Sequence, residues 1–198
     1  MIIGGIILGI IVAILIFYKI KKEIALKNKK QKQELLRSSF HKVFPEVDDK
    51  FSDLLNVIGK DEKLSFYRKE SSKLFNELLK VFINIVDADK RLDNMDKLRN
   101  NLLSTLNNND NSSRVKEAVE KSKQLINRIN KESNELKKYI ANAKEEIKAT
   151  GLDFVHIATE IELSKASGEL VDLTKLSTRS QNLSYIASNM PVTTNLLE

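Results

Sequence analysis

LSFYRKESSKLFNELLKVFINIVDADKRLDNMDKLRNNLLSTL, residues 64–106, is the stretch whose reading decides the fold. With Leu64 at heptad position a, the a sites are Leu64, Ser71, Leu78, Ile85, Leu92, Arg99 and Leu106. The d sites are Tyr67, Leu74, Val81, Ala88, Met95 and Leu102. Eleven of these thirteen positions are apolar, where the overall apolar content of 41% would supply only about five. A 3.5-residue repeat held without a skip is the signature of a helix packed along a seam by knobs into holes. Phe75, Leu79, Phe82, Ile83 and Val86 widen the apolar face in its middle. A two-stranded coil has no use for that width, so the pattern predicts at least one further helix packed there.

Working outward, Asn107 to Ser113 is an Asn/Asp/Ser-rich turn, and Ser112 or Ser113 suits an N-cap. The pattern then resumes: Val115, Val119, Ser122, Ile126, Ile129, Ser133, Leu136, Ile140, Ala143 and Ile147 alternate by 4 and 3. Two heptad helices joined by a short turn make an antiparallel hairpin the simplest fold. The seam residues expected to grip one another are Leu74, Leu78, Val81, Ile85, Leu92 and Leu102 on the first helix. On the second they are Ile126, Ile129, Leu136 and Ile140. Phe154, Ile157 and Ile161 stay in phase beyond Gly151, so the second helix ends at 150 or kinks there and runs to 167. Ser71, Arg99, Ser122 and Ser133 interrupt the seams, either setting register or sitting at the edge of a broad bundle.

Shorter helices flank the hairpin. Pro45 stops whatever precedes it, and residues 46–58 place Val47, Phe51, Leu54, Leu55 and Ile58 on one face before Gly59. The first long helix is expected over 62–107. Past Gly168, residues 169–190 carry Leu170, Leu173, Leu176, Leu183, Ile186, Ala187 and Met190, enough for one last helix against the hairpin. Residues 191–198 read as a flexible tail. With 6 Gly and 2 Pro in 198 residues, the fold class is all-α: long helices, few turns.

At the other end, residues 1–18 contain an uncharged, Ile- and Leu-rich run from Ile2 to Tyr18. As a helix it spans roughly 25 Å, the short end of what crosses a bilayer core of about 30 Å, with Tyr18 and Lys19 suited to the interface. Its charges follow the apolar run and no cleavage site does, so it reads as a single transmembrane anchor rather than a cleaved signal peptide. Gly5, Gly9 and Ala13 form a small-residue stripe of the GxxxG kind, which lets two such helices approach closely.

Residues 19–44 read as a basic juxtamembrane helix. They hold nine Lys/Arg against two Glu, a net +7, while the rest of the +6 chain is close to neutral. By the positive-inside tendency, the N-terminus is expected outside and the bulk of the chain in the cytoplasm of a cell-membrane protein. Lys19, Lys21, Lys22, Lys27, Lys29, Lys30 and Lys32 are placed to meet anionic lipid headgroups. Because the basic excess is confined to that segment, the sequence does not read as a nucleic-acid binder.

Chemistry is sparse. Zero cysteines exclude disulfides, thiolate metal sites and thiol catalysis. Asp87, Asp89, Asp93 and Asp96 lack the spacing and glycine of a calcium loop and read as a solvated helix face. His156 and Glu160, four apart, read as a surface pair. Nothing brings an acid, a base and an electrophile together, so no catalytic, cofactor or metal residue is expected, and the chain does not read as an enzyme.

The reading is therefore a single-pass, membrane-anchored scaffold or adaptor that presents a cytoplasmic coiled-coil hairpin to protein partners or to a second copy of itself. The layout is similar to that of bacterial septation-ring regulators, which join an N-out anchor to cytoplasmic coiled helices. The alternative reverses the topology: an N-in, envelope-facing helical rod of a phage-lysis or secretion-type assembly.

Overall fold

The computed structural model describes residues 27–107, 113–168, 171–172 and 174–191. The expected anchor over 1–18, with Gly5, Gly9 and Ala13, lies outside them, as do Lys19, Lys21 and Lys22. So do 108–112 of the polar turn and 192–198 of the tail. Among the described residues, no helix is long and apolar enough to cross a membrane, and there is no strand.

The chain divides into two units, Met1–Val43 and Phe44–Glu198. In the first, the described residues form one helix, α1, over 27–43, on which Lys27, Lys29, Lys30 and Lys32 are all exposed. Phe44, with φ −130° and ψ 58°, is not helical, as expected of a residue before proline.

The second unit is all-helical. It holds α2 (Pro45–Ile58), a 3₁₀ turn at Glu62–Leu64, α3 (Ser65–Asn107), α4 (Ser113–Ser167) and α5 (Thr174–Ser188). Helix α2 begins on Pro45, whose missing N–H costs nothing there, and carries Glu46 and Asp48 in its first turn, where the helix dipole favours them. The Asp61 carboxylate accepts from Lys63 N at 2.9 Å and starts the 3₁₀ turn that leads into α3.

Helices α3 and α4, of 43 and 55 residues, form the hairpin. Ser133 Oγ donates to Met95 Sδ at 3.5 Å, deep between them. Stepping away from that pair in opposite directions puts the seams level: Leu92 with Leu136, Ala88 with Ile140, Ile85 with Ala143, Val81 with Ile147. In the two middle pairs alanine opposes isoleucine, which lets the layers there interdigitate at interior density. Leu74, Leu78, Val81, Ala88, Ile129, Leu136, Ala143 and Ile147 are completely buried.

The two short helices fill the grooves on opposite sides of the hairpin. Phe51 of α2 stacks on Phe75 of α3 with centroids 4.0 Å apart and tilts against Phe154 of α4 at 5.3 Å. Phe44 meets Phe82 edge to face. The wide apolar face expected on α3 is thus covered by α2 at Phe75, Leu79 and Phe82. Ile83 and Val86 remain 47% and 38% exposed. Val86 lies a turn beyond Phe82, past the start of α2, and Ile83 points away from it.

Gly151 does not end α4, which is helical through it. A Cβ there would sit 3.1 Å from Val47 Cγ2 and 3.6 Å from Val47 Cα, so the missing side chain is what lets α2 come this close. On the far side, α5 lies between α3 and α4, parallel to the first and antiparallel to the second. It therefore adds a fourth helix to the base of the hairpin. Toward the tip, from about Leu92 on α3, neither α2 nor α5 runs beside the hairpin.

Candidate interaction surfaces

Of the ten seam residues read from the sequence, Leu74, Leu78, Val81, Ile85, Ile129, Leu136 and Ile140 are buried. Leu92, Leu102 and Ile126 are half-buried and lie in the arm of the hairpin, beyond the reach of α2 and α5. The polar interruptions divide in the same way. Ser71 and Ser133 are buried, whereas Ser122 is half-buried and Arg99 reaches out to Asp96 at 3.2 Å. Asp87 likewise pairs with Arg91. No group of His, Cys, Asp or Glu among the described residues could hold a metal ion.

The α5 groove is built differently from the α2 groove. Only Leu176 and Leu183 of α5 are buried. Its polar partners on α4 fall on one heptad row, Tyr139, Glu146, Asp153 and Glu160, and α3 adds Asn84 and Tyr67. Arg179 donates from Nε to Asp153 Oδ2 at 2.6 Å and from NH1 to Glu146. Burial would lower the guanidinium's pKa, but these two carboxylates outweigh it and raise it. Lys175 reaches Glu160 at 3.5 Å, so Glu160 serves α5 rather than His156, which is exposed.

Both ends of α5 are held by tyrosine hydroxyls. Val171 N donates to Tyr67 Oη at 3.3 Å. At the other end, Tyr139 Oη donates to Ile186 O at 3.2 Å, and Asn84 Nδ2 donates to Ala187 O at 2.7 Å. These carbonyls are in the last turn of α5, where Ile186 O also accepts from Asn189 N at 3.2 Å, so one residue from each hairpin helix helps to complete the helix end. Burial raises the Tyr139 pKa, with the Asn84 hydrogen bond acting the other way. At the start, the Asp172 carboxylate accepts from Thr174 N at 2.8 Å and Thr174 Oγ1 at 2.6 Å, which lowers its pKa.

A second surface lies on α4 itself. In the four-helix base this helix turns the seam residues Ile157 and Ile161 toward α3, and meets α2 through Gly151 and Phe154 and α5 through Glu146 and Asp153. Its remaining face carries Leu152, Val155 and Leu163, which are 57%, 43% and 64% exposed. Steps of three, four and four through Thr159 keep them on one side of the helix, over about 16 Å. Along the arm, the outward positions of α4 are instead Lys116, Glu117, Glu120, Lys121, Lys123, Gln124, Asn127 and Arg128.

Of the α5 surface the sequence singled out Leu176, Leu183, Ile186 and Ala187, as a last helix against the hairpin, Tyr67, as a seam residue, and Glu160, as a partner of His156; the rest of both surfaces it did not single out. The acidic row was visible as Glu146, Asp153 and Glu160 at intervals of seven, but a charge row on a helix ordinarily faces water. Its meaning depends on Arg179, in a segment rich in Ser and Thr. The apolar stripe was visible as Leu152, Val155 and Leu163 outside the seam phase.

No family model matches this chain, and neither a curated protein nor a solved structure is similar to it.

Proposed function

We propose that this protein is a non-enzymatic, single-pass membrane-anchored adaptor. Ile2–Tyr18 lie in the bilayer and the basic segment, including Lys27, Lys29, Lys30 and Lys32, rests on anionic headgroups at the cytoplasmic face. The hairpin is held out to a protein partner. The observation that carries this reading is the fourth face of α4, where Leu152, Val155 and Leu163 stand exposed on a helix otherwise packed on three sides. Solvent-facing leucines aligned on a rigid helix are the usual footing of a helix–helix contact, and the four-helix base keeps them in place.

Two measurements test it. A photo-crosslinking amino acid replacing Thr159 in the full-length protein in intact cells captures a discrete partner. The same substitution at Lys123, on the polar arm, captures none, and Leu152→Glu with Leu163→Glu abolishes the Thr159 product. Equal capture from both positions removes the α4 stripe as the docking face. The anchor is tested separately: the protein stays with membranes in carbonate, and Asp110→Cys in intact cells resists an impermeant thiol reagent. Ready labelling at that position moves the hairpin to the outside and favours the envelope-facing rod.

A further inference from the structure

The outward line on α4 that holds the apolar stripe does not stop at Leu152. Traced toward the tip, it runs on through Lys148, Lys144, Ala141 and Lys137, in steps of four, four, three and four. Such steps keep all of these positions on the side of the helix that carries Leu152, Val155, Thr159 and Leu163, and every one of them is exposed. From 137 to 163 the row is about 39 Å long. It has two halves, a cationic one nearer the tip and an apolar one nearer the base.

The cationic half is not neutralised by its own chain. Between 137 and 148 the exposed ionisable side chains are Lys137, Lys138, Lys144 and Lys148 against Glu145 alone, four cations to one anion, a net +3. Among the described residues, none of the three lysines in the row forms an ion pair. Other cations of the hairpin behave differently: Arg91 holds Asp87, Lys121 holds Glu117 and Arg128 holds Glu132, each one turn away on its own helix.

We infer that the docking face of α4 takes an amphipathic helix of another protein, apolar along one half and acidic along the other. Its carboxylates, three and four residues apart, lie against Lys137, Lys144 and Lys148. The inference rests on the reading of the α4 stripe as a docking face and specifies what docks there. Leucines alone would accept a partner helix at any register; the lysine half fixes the register and rejects helices without matching acids. A second copy of α4 laid alongside, parallel and level, would set lysine on lysine. A bilayer is a poor match as well, because a helix lying in it sinks its apolar residues and leaves its cations at the headgroups. One straight row holds both kinds at a single depth.

The test places a photo-crosslinking amino acid at Ala141 or at Thr159 of the full-length protein in intact cells. Both positions are expected to capture the same protein. Mass spectrometry of the joined peptides is expected to find the Ala141 crosslink in a run with Asp or Glu every three or four residues, and the Thr159 crosslink in an apolar run of the same segment. Lys137→Glu, Lys144→Glu and Lys148→Glu together are expected to lower the Thr159 yield roughly tenfold, whereas Arg at all three positions preserves it. Circular dichroism shows whether each variant retains its helices.

If Thr159 captures a protein but the Ala141 crosslink falls in a run without carboxylates, or the helical triple-Glu variant gives an undiminished yield, the acidic helix is overturned while the docking face stands. If Thr159 captures nothing, both fall together. Capture of a second copy of this chain, or of lipid alone, overturns the acidic helix in favour of self-pairing or of the bilayer.

Discussion

Helices α2 and α5 lie on opposite sides of the same hairpin and are nearly equal in length, 14 and 15 residues. Helix α2 brings Phe51 into a stack with Phe75 and lays Val47 against Gly151. Helix α5 brings Arg179 to two carboxylates and its carbonyl end to a tyrosine and an asparagine. The first attachment is dispersive and shape-dependent, so it is cooperative with the core. The second is directional and partly solvated, so it is expected to open more readily than the core. One hairpin thus has a groove lined by aromatic packing and another lined by ion pairs and hydrogen bonds.

The sharpest way to break this contrast is to weaken each side in turn. Phe51→Ala removes a ring buried against both hairpin helices and is expected to cost about 3–5 kcal/mol of global stability, read as a lower midpoint in chemical denaturation of the full-length protein. Gly151→Leu forces α2 off α4 at the Val47 contact. It is expected to cost about 1–3 kcal/mol, with α2 amides exchanging faster. Arg179→Ala leaves two half-exposed carboxylates without their cation, at a cost of about 1–2 kcal/mol after allowance for solvent screening. Its signature is local: hydrogen exchange accelerates in Thr174–Ser188 and not in Pro45–Ile58. If Arg179→Ala lowers protection equally in α2 and α5, the two attachments are one cooperative unit and the distinction fails.

Acidity separates the two sides without mutation. The pKa of Tyr139 is raised on folding, so its contribution is present below its unfolded value near 10.0 and is lost as pH rises through the folded one. The pKa of Asp172 is lowered, so its contribution is present above the unfolded carboxylate value of 3.8 and is lost as pH falls through the folded one. Both groups serve α5. Amide exchange corrected for intrinsic pH dependence is therefore expected to show α5 opening at both extremes while α2 stays protected. Tyr139→Phe removes the alkaline limb only.

The contrast also explains what could be read in advance. The hairpin was legible because burial on a long helix demands a seam, and a seam demands apolar residues at intervals of 3.5. The α2 groove was legible in outline, since Phe75, Leu79 and Phe82 are too many apolar residues for a two-helix coil. Gly151 was ambiguous: a glycine inside a helix pattern reads equally as a stop, a bend or a close approach, and only Val47 opposite it decides. Helix α5 was legible in outline, as a last helix carrying Leu176 and Leu183 against the hairpin, but the polar lining of its groove was not. Its acidic row and its arginine are 19 or more residues apart in sequence, and each is unremarkable until the fold brings Arg179 beside Glu146 and Asp153. Nor could equal heptads say that Leu92, Leu102 and Ile126 would be less buried than Leu74 or Ile129. That depends on where α2 and α5 stop along the hairpin.

Ser71 supplies the control that both sides share. Its side chain is completely buried in the seam of α3, level with Ile157 of α4, and its Oγ has no hydrogen-bond partner. A buried hydroxyl left unpaired forfeits its hydration without recompense, and serine is a poorer helix former than alanine. Ser71→Ala is therefore expected to stabilise the fold, by about 0.5–1 kcal/mol, with no steric demand on its neighbours. Because the seam lies between the grooves and belongs to neither, the gain should appear as equal added protection in the amides that open only with global unfolding. The gap between α2 and α5 would then widen, since a helix that detaches by local opening does not sense the stability of the core. Equal gains in α5 would mean that α5 leaves only when the hairpin itself comes apart, and the two attachments would then be one cooperative unit.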